Sequence, residues 1–333
     1  MSMLIVGLIV IIILAVVLGE PLYVLIGSVA AWLLMASGQY PTFGELKPVV
    51  EMTRELADKE VLLAIPFFVI SGAIMSEGDI ARRLIAVART TFSWLPGGLA
   101  VSTVIACIFF AAISGSSPVT VIAIGSIMYP AMIAEGYPDR FSTGLVTSAG
   151  SLGILIPPSI PMIVYAIIVP NGFQDPAGYN VAGDEGSLGL VELFLAGVGP
   201  GILIGGLLAG FSVLQGMRQK SKVEVFDFRE LGAALRNGVW ALLLPVIILG
   251  GIYTGVFTPT QAAAVSVVYA LVVEVWIHRS LTLHDLPRVL SESTVLIGAL
   301  LIILALAQGF NKYLTLAQIA EHSILLLENY NLT

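Results

Sequence analysis

The chain has one cysteine, three histidines and little charge of either sign. Cys107 stands alone in apolar sequence, which excludes an intramolecular disulfide and a cysteine-based metal cluster and leaves it the part of a small hydrophobe. Only 11% of the 333 residues are charged, against about 25% in an average soluble domain. The net charge of −7 comes from the loops and argues against a nucleic-acid partner. No Lys or Arg precedes the first apolar run, "MSMLIVGLIV", so it lacks the charged region of a secretory signal and reads as a retained first helix.

What is there is hydrocarbon. Hydrophobic residues make up 57% of the chain and mean hydropathy is +0.98, so an all-α membrane protein with the lipid bilayer as its solvent is expected. Long apolar stretches run over Leu4–Leu18, Leu22–Ser37, Val61–Met75, Gly98–Ala134, Ser142–Val169, Leu190–Leu214, Val239–Phe257, Gln261–Ile277 and Thr294–Phe310. Trp32, Trp94, Trp240 and Trp276 fall near the interfaces these spans define, as aromatic belts do.

Loop charge sets the expected orientation, because Lys and Arg are retained on the cytoplasmic side. The loop 215–238 holds Arg218, Lys220, Lys222, Arg229 and Arg236 and reads as cytoplasmic, whereas 171–189 has no basic residue and three acids and reads as outward. Arg82, Arg83 and Arg89 place 77–97 inside as a surface segment. With both flanks cytoplasmic, 98–134 enters and leaves on one side as a re-entrant hairpin, and parity puts the N-terminus outside. Glu274, near a helix end, reads as a loop or snorkelling position.

These parities divide the chain into scaffold helices (1–76), a surface segment (77–97), a hairpin (98–134), a discontinuous helix (141–170), an outward loop (171–189), a connector (190–238), three inverted scaffold helices (239–310) and a final surface segment (311–333). The second series is the first turned upside down, the inverted repeat of many secondary transporters. It stops where its own hairpin should begin, so roughly another 70 to 100 residues are expected from the repeat.

Two apolar segments are interrupted. One is "AAISGSSPVT" and the other "TSAGSLGILIPPSIP", where Gly150 and Gly153 precede Pro157 and Pro158. Backbone freed from a helix inside a bilayer is tolerated only where protein or a water-filled cavity surrounds it. Freed carbonyls and hydroxyls suit a hard cation such as Na⁺, and half-helix N-termini attract a carboxylate. Ser114, Ser116, Ser117, Thr120, Ser148, Ser151 and Ser159 are the candidate ligands, with Gly115, Gly150, Gly153 and Pro157 shaping the backbone path. Small residues also mediate close helix packing, and a serine can bond its own helix, so packing competes with ligation at each position. An intramembrane serine hydrolase would need a base beside Ser116 or Ser117, and all three histidines, His278, His284 and His322, fall in loops or surface segments; no enzyme is expected.

"LPGGLAVSTVIACIFFAAISGSSPVTVIAIGSIMYPAMIAEGYP" followed by "STGLVTSAGSLGILIPPSIPMIVYAI" resembles the large membrane subunit of tripartite ATP-independent periplasmic (TRAP) transporters. "LFLAGVGPGIL" and "GVFTPTQAAAVSVVYAL" add two further matches in order, and the resemblance covers essentially the whole chain. It implies Na⁺-driven import of an organic acid (a C4-dicarboxylate, sialic acid, keto or sugar acid) across a bacterial or archaeal inner membrane, by an elevator-type transport domain and without a cofactor. It also implies two partners, a small four-helix membrane subunit and a soluble periplasmic substrate-binding protein. By resemblance, Ser114, Gly115, Ser116, Ser117, Thr120, Gly150, Ser151, Gly153 and Pro157 form the first Na⁺ site, while Ser116, Ser117, Pro158 and Ser159 supply half of the substrate cradle. A second hairpin and its broken helix, present in the family, fall outside these residues. A receptor-independent Na⁺- or H⁺-coupled carboxylate transporter of related fold, and a non-transporting fragment, are the alternatives.

Overall fold

A computed structural model describes residues 2–36, 54, 57–168, 189–219, 223 and 225–319. The outward loop 171–188, most of 37–56 and the end of the chain lie outside the described residues, so the orientation signals on Lys47, Lys220 and Lys222 do too. The described residues form 12 α-helices and no strand. Contacts divide the chain into one unit of 1–59 with 295–333 and another of 60–294.

In the first unit, α1 (Ser2–Leu18) packs on α2 (Leu22–Ala36). Gly7 makes this possible, because a Cβ there would overlap the Trp32 ring. Helices in lipid gain little from the hydrophobic effect when they associate, so close approach at small residues supplies the attraction instead.

The second unit opens with a 3₁₀ turn (Glu60–Leu63) leading into α3 (Ala64–Glu77). Helix α4 (Ile80–Phe92) buries Ile80, Ala81, Leu84, Ile85, Val87 and Ala88, which recur at helical spacing, while Arg82 is exposed on the other side. Helices α5 (Gly98–Ser114) and α6 (Ser117–Ala134) follow. Next come α7 (Asp139–Gly150), a 3₁₀ turn (Ser151–Ile154) and α8 (Ile160–Ile168). Then come α9 (Leu190–Gln219), α10 (Phe228–Tyr253), α11 (Pro259–Leu271) continued by a π-helix (Val272–Ile277), and the first turns of α12 (Leu286–Leu316), whose residues from Val295 on belong to the first unit.

Helix ends fall where local chemistry puts them. Thr258 and Gln261 form a capping box at α11, with Gln261 N donating to Thr258 Oγ1 at 3.2 Å and Thr258 N donating to Gln261 Oε1 at 3.0 Å, and Pro259 fills the first turn. At α10 the Asp227 carboxylate accepts from Arg229 N at 2.7 Å. That cap corrects the expected loop 215–238: α9 runs on to Gln219 and α10 starts at Phe228, so Arg218, Arg229 and Arg236 lie on helices. Polar residues at a helix end look like a loop to hydropathy, but a cap carries the helix past the apolar core.

The middle of this unit is α5. It is apolar all round and buried along almost its whole length, touched by α3, α4, α6, α7 and α9. Its partner α6 folds straight back on it: after only Gly115 and Ser116, the chain returns far enough for Thr103 near the start of α5 to reach Met132 near the end of α6. Residues 98–134 thus form a helical hairpin with 115–116 at its tip.

Candidate functional site

Helix α7 runs antiparallel along α6, and the register can be followed residue by residue. Tyr129 donates its hydroxyl to Asp139 Oδ1 at 2.8 Å; one turn further a Cβ on Gly125 would stand 2.7 Å from Val146; then Gly150 lies against Val121. The next step meets the tip itself. A Cβ on Gly153 would lie 2.8 Å from the Ser116 carbonyl carbon and 2.9 Å from Ser117 N, so only glycine lets the two backbones touch. The break in α7–α8 thus sits level with the break between α5 and α6.

The two breaks are hydrogen-bonded to each other. Gly115, at φ +59°, ends α5 in the left-handed conformation that favours glycine, which turns its carbonyl to accept from Ile160 N at 3.0 Å. Pro158 O closes on Gly115 from the other strand of the break, leaving no room for a side chain. The Pro157–Pro158 peptide is cis. As a result the N-termini of α6 and α8 both start from this junction, each with a proline, Pro118 or Pro161, in the first turn where a missing N–H costs nothing.

Within the junction the hydroxyls divide into two groups. Ser114 and Thr120 are buried and share a hydrogen bond of 3.0 Å, and Thr120 Oγ1 also donates to Ser116 O at 2.8 Å. Ser159, also buried, donates to Ile154 O at 2.7 Å, and Ser151 donates to Ser148 O at 2.7 Å. These four hold the unwound backbone in shape. Ser117 makes no side-chain hydrogen bond and is part-exposed beside Ser116, and Ser148 is exposed. No Asp, Glu, Lys, Arg or His lies in 98–134 or 142–168, so partial charges of helix ends and freed carbonyls set the local field. Among the described residues, no group of three or more His, Cys, Asp or Glu is placed to hold a metal.

The structure sets Gly115, Ser116 and Ser117 of the hairpin against Gly153, Pro158 and Ile160 of the broken helix, with Ser114 and Thr120 behind the tip and Gly150 against Val121; Ser151, Pro157 and Ser159 lie along the same break, and Ser148 is exposed. Sequence reasoning overlooked what backs the junction. Gly197, Gly201 and Gly205 form a stripe on α9 that meets Met162 and the Leu155 carbonyl, Ile156, and Ile108 with Leu152, respectively. The four-residue spacing of those glycines was the available signal. Gly72 on α3 also packs against Ser114, where a Cβ would stand 3.1 Å from its Cβ.

Two expectations are corrected. Glu274 neither snorkels nor lies in a loop, and its side chain is fully buried in the π-helix. His278 follows that helix, but its ring is 2% exposed, because the imidazole folds back onto Glu274 instead of entering solvent. Apolar periodicity locates helix ends but not where a polar end turns inward.

A bundle in which a helical hairpin and a discontinuous helix meet at matched breaks, in surroundings without charge, has the architecture of a membrane transporter. Among the described residues, six helical segments are long and apolar enough to cross a bilayer, making it a multi-pass membrane protein. The family model described as "Tripartite ATP-independent periplasmic transporter, DctM component" matches residues 2–328, and the chain belongs to this family. It is 43% identical over 260 residues, 76% of this chain and 57% of the other, to the C4-dicarboxylate TRAP transporter large permease protein DctM of Rhodobacter capsulatus. Its identity is 45% over 268 residues (80% and 59%) with the protein of the same name from Pseudomonas aeruginosa. With the isethionate TRAP transporter permease protein DctMQ of Oleidesulfovibrio alaskensis it is 34% over 305 residues (91% and 45%). The chain therefore spans about half to three fifths of the length of these relatives. They are transport permeases and not enzymes.

Proposed function

We propose that this chain supplies the first half of the ion and substrate path of a TRAP transporter large permease, importing a small organic anion with Na⁺. The observation that carries this is the junction bonded from Gly115 O to Ile160 N, where two half-helix N-termini and freed carbonyls share one charge-free space. Carbonyl and hydroxyl oxygens suit Na⁺, the positive ends of α6 and α8 suit a carboxylate or sulfonate, and a neutral wall leaves both attractions uncancelled. Ser116 and Ser117, both part-exposed at the tip with hydroxyls that make no hydrogen bond to the protein, are the side chains there that a ligand could engage.

In this reading 98–134 and 141–170 form the moving element and 1–76 with 239–310 the scaffold, in an inner membrane with the N-terminus outside. A small four-helix membrane subunit and a periplasmic substrate-binding protein complete the assembly, and selection among C4-dicarboxylates, sulfonates and other acids rests mainly with that receptor. The test is uptake by the full-length permease with both partners in proteoliposomes. Accumulation should require an inward Na⁺ gradient and the binding protein, and replacing Ser116 and Ser117 together with Leu should abolish it with insertion intact. Uptake indifferent to Na⁺ removes the coupling; uptake without the receptor favours the receptor-independent alternative; normal uptake by the double variant removes both serines from the path.

A further inference from the structure

Away from the junction, the only charged side chain that is fully buried among the described residues is Glu274. It lies in the π-helix that ends α11, where the wider turn lets His278 N reach back to Val273 O at 2.7 Å. Such turns inside an α-helix recur at functional sites. The carboxylate spans the gap to the start of α4: Oε2 accepts from Asp79 N at 3.0 Å and Oε1 from Ile80 N at 2.8 Å. Asp79, the residue placed to cap α4 itself, makes no capping bond, because its carboxylate is held by Arg83 Nε at 3.0 Å. Glu274 therefore caps α4 from another helix. Gly78 allows the approach, since a Cβ there would overlap the carboxylate. Ser280 donates its hydroxyl to Oε2, and His278 Nδ1 lies 3.3 Å from the same oxygen.

The imidazole has a second nitrogen. His278 Nε2 is buried and makes no hydrogen bond. A neutral ring with its proton on Nδ1 donates that proton to Glu274 and leaves Nε2 a bare lone pair, whereas the opposite tautomer would set two lone pairs against each other and bury an orphan N–H. The neutral ring is thus an Nδ1–H tautomer with a vacant proton acceptor. The other ionisable groups of the surrounding elements are engaged elsewhere or exposed. Glu77 of α3 pairs with Arg288 of α12 at 2.8 Å, Arg288 also reaches Glu292 at 3.4 Å, and Asp285 is bound by Thr282. Arg279 and His284 are exposed.

We propose that Glu274, His278 and Ser280 form a proton-binding clasp, in which a proton taken from water at His278 Nε2 tightens the hold of Glu274 on the start of α4. The proton adds to the Nε2 lone pair, Nδ1–H goes on donating to Glu274, and a hydrogen bond from a neutral ring to the carboxylate becomes an imidazolium–carboxylate pair. Attraction between opposite charges at this distance outweighs one unmade hydrogen bond at Nε2, so the clasp is tighter on the acid side and looser on the alkaline side. Since α4 leads directly into α5 and the hairpin, the clasp sets where that element is anchored.

Two measurements on the full-length protein in bilayers test this. With His284, His322 and every histidine outside this chain replaced by Gln and His278 ¹⁵N-labelled, the neutral ring should carry its proton on Nδ1 and bind a second proton at Nε2 as the medium is acidified. Proton affinity should fall at least about tenfold in Glu274→Gln. An Nε2–H tautomer, a ring that stays neutral on acidification, or an affinity unchanged in the variant overturns the proposal. Nitroxide labels at the exposed positions Arg82 and Trp276, with Cys107 and any cysteine outside this chain replaced by Ala, should give a narrow distance distribution in acid that broadens in alkali. His278→Asn, which keeps a donor to Glu274 but cannot titrate, should abolish that pH response. A response that survives in His278→Asn overturns it as well. Should Glu274→Gln fail to fold, Ser280→Ala, which loosens the same carboxylate, should broaden the distribution at every pH; an unchanged one tells against the clasp.

Discussion

The hairpin junction and the Glu274 clasp are both places where helix ends are left open inside a membrane protein, and they close them in opposite ways. At the junction there is no charge, and the open ends are matched backbone to backbone through Gly115 O and Ile160 N, with Gly153 letting the strands touch. At the clasp one buried carboxylate accepts at once from the amides of Asp79, just ahead of α4, and of Ile80, its first residue. Carbonyls and amides that are only loosely engaged remain available to a passing ion, whereas a carboxylate that has spent its lone pairs on a helix end is a fixture. On the proposed function, the contrast sets a neutral, glycine-rich junction for binding and release against a buried carboxylate, costly to bury, used as an anchor.

Substitutions can break that comparison, and the largest effect should come from Gly115→Val. A β-branched residue at φ +59° costs about 1–2 kcal/mol for the left-handed backbone alone. Displacing the Pro158 carbonyl adds about 1–3 kcal/mol. Thermal unfolding of the purified full-length permease should drop accordingly and transport should be lost. Near-normal melting would mean that the junction is slack.

Gly153→Ala should come next, at about 1–3 kcal/mol, because its Cβ would meet the Ser116–Ser117 peptide. Gly144→Ala, on α7 leading into that turn but facing open space, sharpens the contrast: it should raise stability by about 0.5–1 kcal/mol through helix propensity. If the two behave alike, the close approach at Gly153 carries no energy.

At the clasp, Ser280→Ala removes a hydroxyl bonded to a carboxylate and should cost about 1.5–3 kcal/mol, read in the same melting assay. Unlike the glycine variants, it should leave Na⁺ dependence of uptake unchanged; an altered Na⁺ response would show that clasp and junction are not separate.

The smallest effect concerns Asp285, just ahead of α12, whose carboxyl is held below its ordinary value of 3.8 first by the Thr282 hydroxyl and then by the Thr282 amide. The folded form binds its proton less tightly than the unfolded chain. Its stabilisation is therefore present above the unfolded value and fades as pH falls through the folded one. Asp285→Asn should flatten the acid end of the stability curve slightly; an acid limb identical to the parent's would assign no stability to this turn.

Much of this was legible in residue order. Uncharged apolar runs located the helices, because backbone in lipid must be satisfied within its own segment. Ser–Gly–Ser–Ser–Pro and Gly–Ser–Leu–Gly with a following Pro–Pro located both breaks, because only glycine and proline there cost so little. Less visible was the glycine stripe on α9, whose role depends on what lies opposite, and Glu274 was misjudged because an acid at a helix end has the same sequence signature whether it turns to solvent or inward.

The sequence by itself determined a multi-pass helical membrane protein of the TRAP permease family, two interrupted helices, and the absence of charge around them. Only the tertiary structure decided that the interruptions are one junction, that Ser114, Thr120, Ser151 and Ser159 are engaged within it while Ser117 is free, and that a carboxylate 195 residues from Asp79 caps α4. Period and composition are local properties of a chain; which freed carbonyl meets which freed amide is settled by packing between segments far apart in sequence.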